Sequence, residues 1–349
     1  MQTAESFPSE TVNFKPQKGE EWQLPNGLTV IYKEDKELPL VYGGLFFPGG
    51  SYWQKGNEMG SVAAMGTALR EGGAGNRTPE ELDKDLDKLA AGVASSFAQE
   101  SGKVNFSCLD KDIDAVFEIF SDVILRPRFD QKKLELWKGN TIDSIKRRIE
   151  NPEEVVHISF MQIAYGSSPY GRASTVKDIE MLTRADLIRK HNEFVKPGKA
   201  ILTVGGNISK EKLSQLLSRY FSSWKGQPVL PPLPEINEEP KPGIYFVKLP
   251  VTQANVIMGQ LGVPRLTSDY PSIDAFNEIF GSSGFGLSRL FARIRTELGL
   301  AYSVYGGARS GLVRGLNVMM VQTKSESVDV ATIESVSYTH LTLPTNREV

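Results

Sequence analysis

Gln227-Pro228-Val229-Leu230-Pro231-Pro232-Leu233-Pro234-Glu235-Ile236-Asn237-Glu238-Glu239-Pro240-Lys241-Pro242-Gly243 is the stretch on which the reading of the fold turns. Each proline fixes its own φ and removes a backbone donor, so no helix or sheet ladder runs through the segment. Residues 227–243 therefore predict a semi-rigid linker. Upstream of it, the turn Asn26-Gly27 precedes a strand over 28–32, and a second strand over 40–47 stops at Pro48-Gly49-Gly50. A helix over 59–69 follows. Thr78-Pro79-Glu80-Glu81 opens the next one, with threonine as the cap, proline in the first turn and two acids against the helix dipole. Leu82, Leu86 and Leu89 then recur at helical spacing.

The pattern continues with a strand pair over 93–98 and 103–109, an amphipathic helix over 112–125, and helices over 130–149, 153–165 and 184–194. A buried strand over 200–205 and a helix over 210–220 complete the part before the linker. Downstream, a strand over 254–262, helices over 270–280 and 287–297, strands over 301–308 and 316–322, and a helix beginning at 328 repeat the early order. Repetition of one element order predicts two copies of a single α+β unit. The predicted divisions are an extended lead-in (1–20), a first unit (21–226), the linker, and a second unit (244–335). By analogy with the first, the second unit stops about 100 residues early.

Val336-Ser337-Tyr338-Thr339-His340-Leu341-Thr342-Leu343-Pro344-Thr345 resembles the in-frame translation of a transposase adapter used in sequencing libraries. Residues 336–349 are expected to be such a scar, outside the native fold, which leaves His340 without functional weight.

The chain of 349 residues carries 40 basic and 42 acidic side chains. That balance lacks the basic surplus of a nucleic-acid binder. No apolar run reaches the length of a membrane span, so no integral membrane segment is expected. The single cysteine, Cys108, permits no intrachain disulfide framework and reads as core filler. Residues 1–10 carry no signal-peptide core, as expected of a cytoplasmic protein or of one whose leader has been removed.

Five landmarks in order carry a resemblance. They are Leu24-Pro25-Asn26-Gly27-Leu28, Leu125-Arg126-Pro127-Arg128-Phe129, Ser168-Pro169-Tyr170-Gly171-Arg172, Val204-Gly205-Gly206-Asn207-Ile208, and the run from Leu290 through Arg295 to Gly299-Leu300-Ala301-Tyr302-Ser303. From about residue 22 to 335 the chain resembles the insulinase/pitrilysin metallopeptidases, including the mitochondrial processing peptidases. The resemblance implies the LuxS/processing-peptidase-like metallohydrolase fold, a mostly antiparallel sheet with helices packed on it, present twice and truncated in its second copy.

Active members of that family carry an inverted zinc motif, H-x-x-E-H, in which two imidazoles bind the metal and the glutamate activates water. The aligned positions are Ala63-Ala64-Met65-Gly66-Thr67, so Ala63 and Thr67 stand for the imidazoles and Gly66 for the base. The later metal-binding glutamate falls at Asp143 or Ser144. His157 and His191 stand alone in separate helices. The expectation is therefore no catalytic residue, no metal and no cofactor in this chain. In the family's C-terminal unit an arginine and a tyrosine seven residues apart bind the substrate backbone, and they match Arg295 and Tyr302. Residues 93–98 correspond to the strand along which family members dock extended peptides. Gly281-Ser282-Ser283-Gly284-Phe285-Gly286 follows a helix and lacks the Lys-Ser/Thr of a nucleotide loop, so it reads as a hinge.

The resemblance implies a non-catalytic, substrate-binding subunit of a heterodimeric zinc metalloendopeptidase. Its partner would be a zinc-motif homologue that holds the zinc, its substrate an unfolded peptide, and its compartment the periplasm, with the cytoplasm as the alternative. The competing reading is a structural or interaction subunit of the same fold with no part in proteolysis. No Ser/His/Asp order or Cys–His pair supports an independent enzyme.

Overall fold

A computed structural model describes residues 18–237, 239–282 and 288–341. Most of the predicted lead-in (up to residue 17), the glycine-rich positions 283–287 and residues 342–349 of the expected scar lie outside the described residues. The chain is α+β, as its element order implies. The first half holds strands β1 (Glu20–Gln23), β2 (Thr29–Glu34), β3 (Leu40–Pro48), β4 (Gly92–Phe97), β5 (Ser101–Leu109) and β6 (Ile201–Gly206). They form one sheet in the order β1-β2-β6-β3-β5-β4. All neighbours are antiparallel except β2 and β6.

Eight helices accompany this sheet: α1 (Ser61–Glu71), α2 (Pro79–Lys88), α3 (Ile113–Leu125), α4 (Gln131–Arg147), α5 (Pro152–Tyr165), α6 (Val176–Met181), α7 (Arg184–Phe194) and α8 (Lys210–Phe221). Polar caps start all of them but α1 and α3. Thr78 accepts from the Glu81 N–H, Asp130 from Lys133, Asn151 from Glu154, Thr183 from Asp186 and Ser209 from Lys212. Each such bond satisfies a donor that the first helical turn leaves open. Strand β3 shows why the sheet has an inside: Val41, Leu45 and Phe47 are buried while Tyr42 and Phe46 are exposed. Under it Phe106, Phe117, Phe120 and Phe221 interlock in edge-to-face and tilted pairs. Each fully buried phenylalanine contributes about 1.5–3 kcal/mol by leaving water.

The second half holds β7 (Gln253–Leu261), β8 (Ala301–Arg309) and β9 (Leu316–Lys324), with α9 (Tyr270–Asn277), α10 (Arg289–Phe291) and α11 (Val328–Leu341). Its sheet runs β7-β9-β8, the same order as β3-β5-β4 in the first half. The predicted repeat is thus visible in strand topology. Where β3 has β6 on its other side, β7 has no further strand among the described residues.

Three details differ from expectation. Strand β1 and helix α6 have no clear signal in the sequence, because Glu20-Glu21-Trp22-Gln23 offers one apolar residue and α6 is under two turns long. The helices expected over 270–280 and 287–297 are only partly α-helical. Both pass into wider π-helical turns, Glu278–Ser282 and Ala292–Glu297. Helix α11 reaches Leu341, so the first residues of the segment 336–349 continue this helix instead of breaking it.

No helix or strand interrupts the chain between Phe221 and Gln253 among the described residues. The first part of the linker is nonetheless tied down. The Val229 N–H donates to the Glu193 carbonyl at 2.9 Å, Trp53 Nε1 to Pro231 at 2.8 Å, and Tyr170 OH to Pro234 at 2.6 Å. A small apolar cluster then joins the halves: Phe160, Ala164 and Tyr165 of α5 meet Leu261, Leu316 and Val318 of the second sheet. Among the described residues no helix is long and apolar enough to cross a membrane.

Cys108 is buried in β5. Burial first, then the charges of Asp112 and Asp110, push its thiol up to about 12. Thiolate, the reactive form, is therefore scarce near neutrality. Iodoacetamide at pH 8 is expected to leave the native chain unlabelled and to label it fully once denatured; rapid labelling of the native chain would place Cys108 at the surface.

Candidate functional site

Arg295 lies in the π-helical turn after α10, and Tyr302 near the start of β8. Between them Gly299 takes a left-handed φ of 62°, which lets the chain leave the helix sharply. The Leu300 N–H then closes on the Ile294 carbonyl at 3.0 Å. Tyr302 sits at an irregularity in the β8–β9 ladder: Ala301 pairs with Thr323 and Ser303 with Gln322, which leaves Tyr302 as the extra residue of a bulge. Bulges re-aim side chains, and this one leaves Tyr302 73% exposed. The Arg295 guanidinium carbon lies 4.8 Å from the Phe291 ring centre and 5.1 Å from that of Tyr302. The two residues singled out in the sequence are therefore stacked together. Each cation–π contact restrains the guanidinium and is worth about 0.5–1 kcal/mol at an exposed site. Its N–H groups and the phenol remain as paired donors for carbonyl oxygens.

The degenerate motif lies on α1. Ala63 is exposed, Gly66 buried and Thr67 half-buried. Ala63 and Gly66 carry no donor atom, and a lone threonine hydroxyl is no substitute for the imidazole and carboxylate donors of a zinc site. Asp143 and Ser144 are exposed on α4. Among the described residues no three His, Cys, Asp or Glu side chains converge where a metal would need them. These positions do not fit the zinc that the family pattern implies. Of the histidines, His157 is exposed on α5. His191 bonds through Nε2 to the Ile124 carbonyl at 2.8 Å beside the Phe129 ring. Burial lowers its pKa, as for a core histidine.

Two structural devices escape sequence reading. Lys190 of α7 is 2% exposed, with its ammonium 2.7 Å from Glu58 and 2.7 Å from Glu193. Burial alone would raise the Glu58 carboxyl. The hydrogen bond from Lys190, the Lys55 backbone N–H and the charges of Lys190 and Arg189 outweigh it and hold that carboxyl below its ordinary value. This cluster fixes the loop that leads into α1. The second device is a tyrosine weld. Tyr170, from the Ser168-Pro169-Tyr170-Gly171 landmark, lies edge-on to Tyr52 at 4.7 Å, and Tyr165 donates to the Arg314 carbonyl at 3.1 Å. Burial first, then Tyr52 and Glu100, push the Tyr170 phenol up to about 12. It stays a neutral donor to the linker.

Comparison with known proteins bears on the family and the fold. The family model described as insulinase (peptidase family M16) matches residues 29–176, and the one described as peptidase M16 inactive domain matches residues 181–337. An uncharacterized zinc protease of Mycobacterium leprae is 25% identical over 81% of this chain and 64% of its own length. The mitochondrial-processing peptidase subunit beta of Saccharomyces cerevisiae is 24% identical over 57% of this chain and 43% of its own. This chain thus spans less than two thirds of either relative. The crystal structure of a peptidase M16 inactive domain from Pseudomonas fluorescens superposes with a TM-score of 0.85 at 24% identity, over 92% of this chain and 79% of that one. With two models of one family matching in order across both halves, and with the repeated sheet as their common frame, the chain belongs to the insulinase family of peptidases, M16.

Proposed function

We propose that this chain is the non-catalytic, substrate-binding subunit of a heterodimeric zinc metalloendopeptidase. The observation that carries the reading is the asymmetry between its two candidate sites. Positions 63, 66 and 67 hold no ligand set, whereas Arg295 and Tyr302 stand together as exposed, oriented donors. In this reading an unfolded peptide lies between two chains, and Arg295 and Tyr302 donate to its backbone carbonyls. Donors fixed before the substrate arrives cost no reorganisation when charge develops on oxygen. The zinc belongs to a zinc-motif partner homologue. The match to an M16 inactive domain supports the non-catalytic part, and the existence of a family relative named as a subunit supports pairing. The periplasm is the compartment we assign, from the resemblance.

The test is a peptidase assay in the presence of zinc, with the chain alone, a zinc-motif homologue alone, and the two mixed. Activity that rises only on mixing, with a complex on size exclusion, is the expected result. No complex and no gain would favour the structural-subunit alternative. Activity of this chain alone would show that its residues do form a metal site.

A further inference from the structure

Strand β4 is the outermost strand of the first sheet, paired on one side with β5. An unpaired edge of this kind is where an extended peptide adds to a sheet. The ladder shows which groups face outward. The Ala98 N–H bonds to the Ser101 carbonyl at 2.9 Å, in register with Phe97 opposite Gly102. Alternation in an antiparallel pair then turns the main-chain groups of Val93, Ser95 and Phe97 away from β5.

Helix α1 reaches each of these residues, at Val93 through its main-chain carbonyl and at Ser95 through its side chain. Arg70 Nε donates to the Val93 carbonyl at 3.1 Å, while Arg70 Nη2 pairs with Asp83 of α2 at 2.7 Å. Ser95 Oγ donates to the Gly66 carbonyl at 2.6 Å. At Phe97 the helix leaves no space for a side chain: a Cβ on Gly66 would lie 2.5 Å from Phe97 N, 3.0 Å from its Cβ and 3.1 Å from the Ser96 carbonyl carbon. Only a residue without a side chain fits there.

We infer that the turn of α1 carrying the degenerate motif is a resident cap on the β4 edge, held by Gly66 and Arg70. The position that would carry the general base is given over to strand seating. This contact leaves no room for a side chain at the base position and closes β4 to an added peptide strand. Taken with the heterodimer reading, it leaves Arg295 and Tyr302 as this chain's contact with substrate; the cap itself stands or falls without that reading.

The test compares the same substitution at two helical glycines. A methyl group placed on Gly139 of α4 would have nothing within 4 Å, so Gly139→Ala should raise Tm through helix propensity. Gly66→Ala is expected to lower Tm instead, because the methyl meets the β4 backbone. A second readout does not depend on stability. With a benzophenone amino acid replacing Ala94, exposed on β4, a labelled peptide of sequence 101–109, the natural partner of β4, is irradiated with the full chain. Little capture by the parent and at least tenfold more in an Arg70→Met background is the expected result. A Gly66→Ala chain that melts as high as the parent, or capture that is equal with and without Arg70, would overturn the cap.

Discussion

Arg295→Ala, in the assembled heterodimer, is expected to lower kcat/KM by about a hundredfold or more while leaving assembly intact, the usual loss when one preorganised donor to a developing oxyanion is removed. The guanidinium lies over both the Phe291 and the Tyr302 rings, which restricts where its N–H groups can point. Alanine removes those donors and also frees Tyr302 from its stacking partner. Tyr302→Phe separates the two effects, because the ring stays stacked and only the hydroxyl leaves. If the pair acts mainly as charge develops, both variants lose kcat; if it only holds the peptide, KM rises at constant kcat. Turnover equal to the parent's in Arg295→Ala, with the complex intact on size exclusion, would remove the pair from catalysis and with it the main support for the substrate-binding role.

The largest stability effect should come from Lys190→Met. Methionine fills much of the same volume but leaves Glu58 and Glu193 without the ammonium that each meets at 2.7 Å. Removing one partner of a buried ion pair costs about 3 kcal/mol at the lower end of the observed range. The lower end applies here because Arg189 still faces Glu58 at 3.3 Å. For a unit of this size that is a Tm loss of roughly 6–12 °C. The pH dependence has a definite sign. The Glu58 carboxyl is held low in the folded chain, so its ionised form contributes stability above its unfolded pKa. That contribution fades as pH falls through the folded value. In Lys190→Met the unpaired carboxylate becomes neutral on acidification, so the gap between parent and variant should narrow in acid. Urea melts at neutral and acidic pH measure both quantities, and a gap that widens in acid would mean that Glu58 is not the residue left stranded.

Much of the fold was legible because its signals are local. The cap Thr78, the stop of β3 at Pro48-Gly49-Gly50 and the prolines of 227–243 each act through the chain next to them. Contacts formed between distant segments were not legible. Lys190 reads as a solvated helix residue with a glutamate three positions on, and nothing local shows Glu58 arriving from another loop. Gly66 reads as a lost base, whereas its second meaning depends on how near Phe97 comes. For Arg295 and Tyr302 the spacing was visible, but their stacking needs a π-helical turn, a left-handed glycine and a bulge. Tyr170 marked a landmark whose purpose, pinning the linker at Pro234, required the linker's path.

The position of β6 also bears on how the protein comes into being. It lies between β2 and β3, with residues 201–206 paired to 29–34 on one side and to 41–46 on the other. During synthesis both early strands leave the ribosome long before the strand that joins them. At typical elongation rates the wait is on the order of ten seconds. Throughout it Val30, Val41 and Leu45 have no completed sheet in which to bury, and long-range closure of this kind slows folding further. The nascent first half is therefore a natural client for holding chaperones, and translation pauses placed before residue 201 would lengthen its exposure.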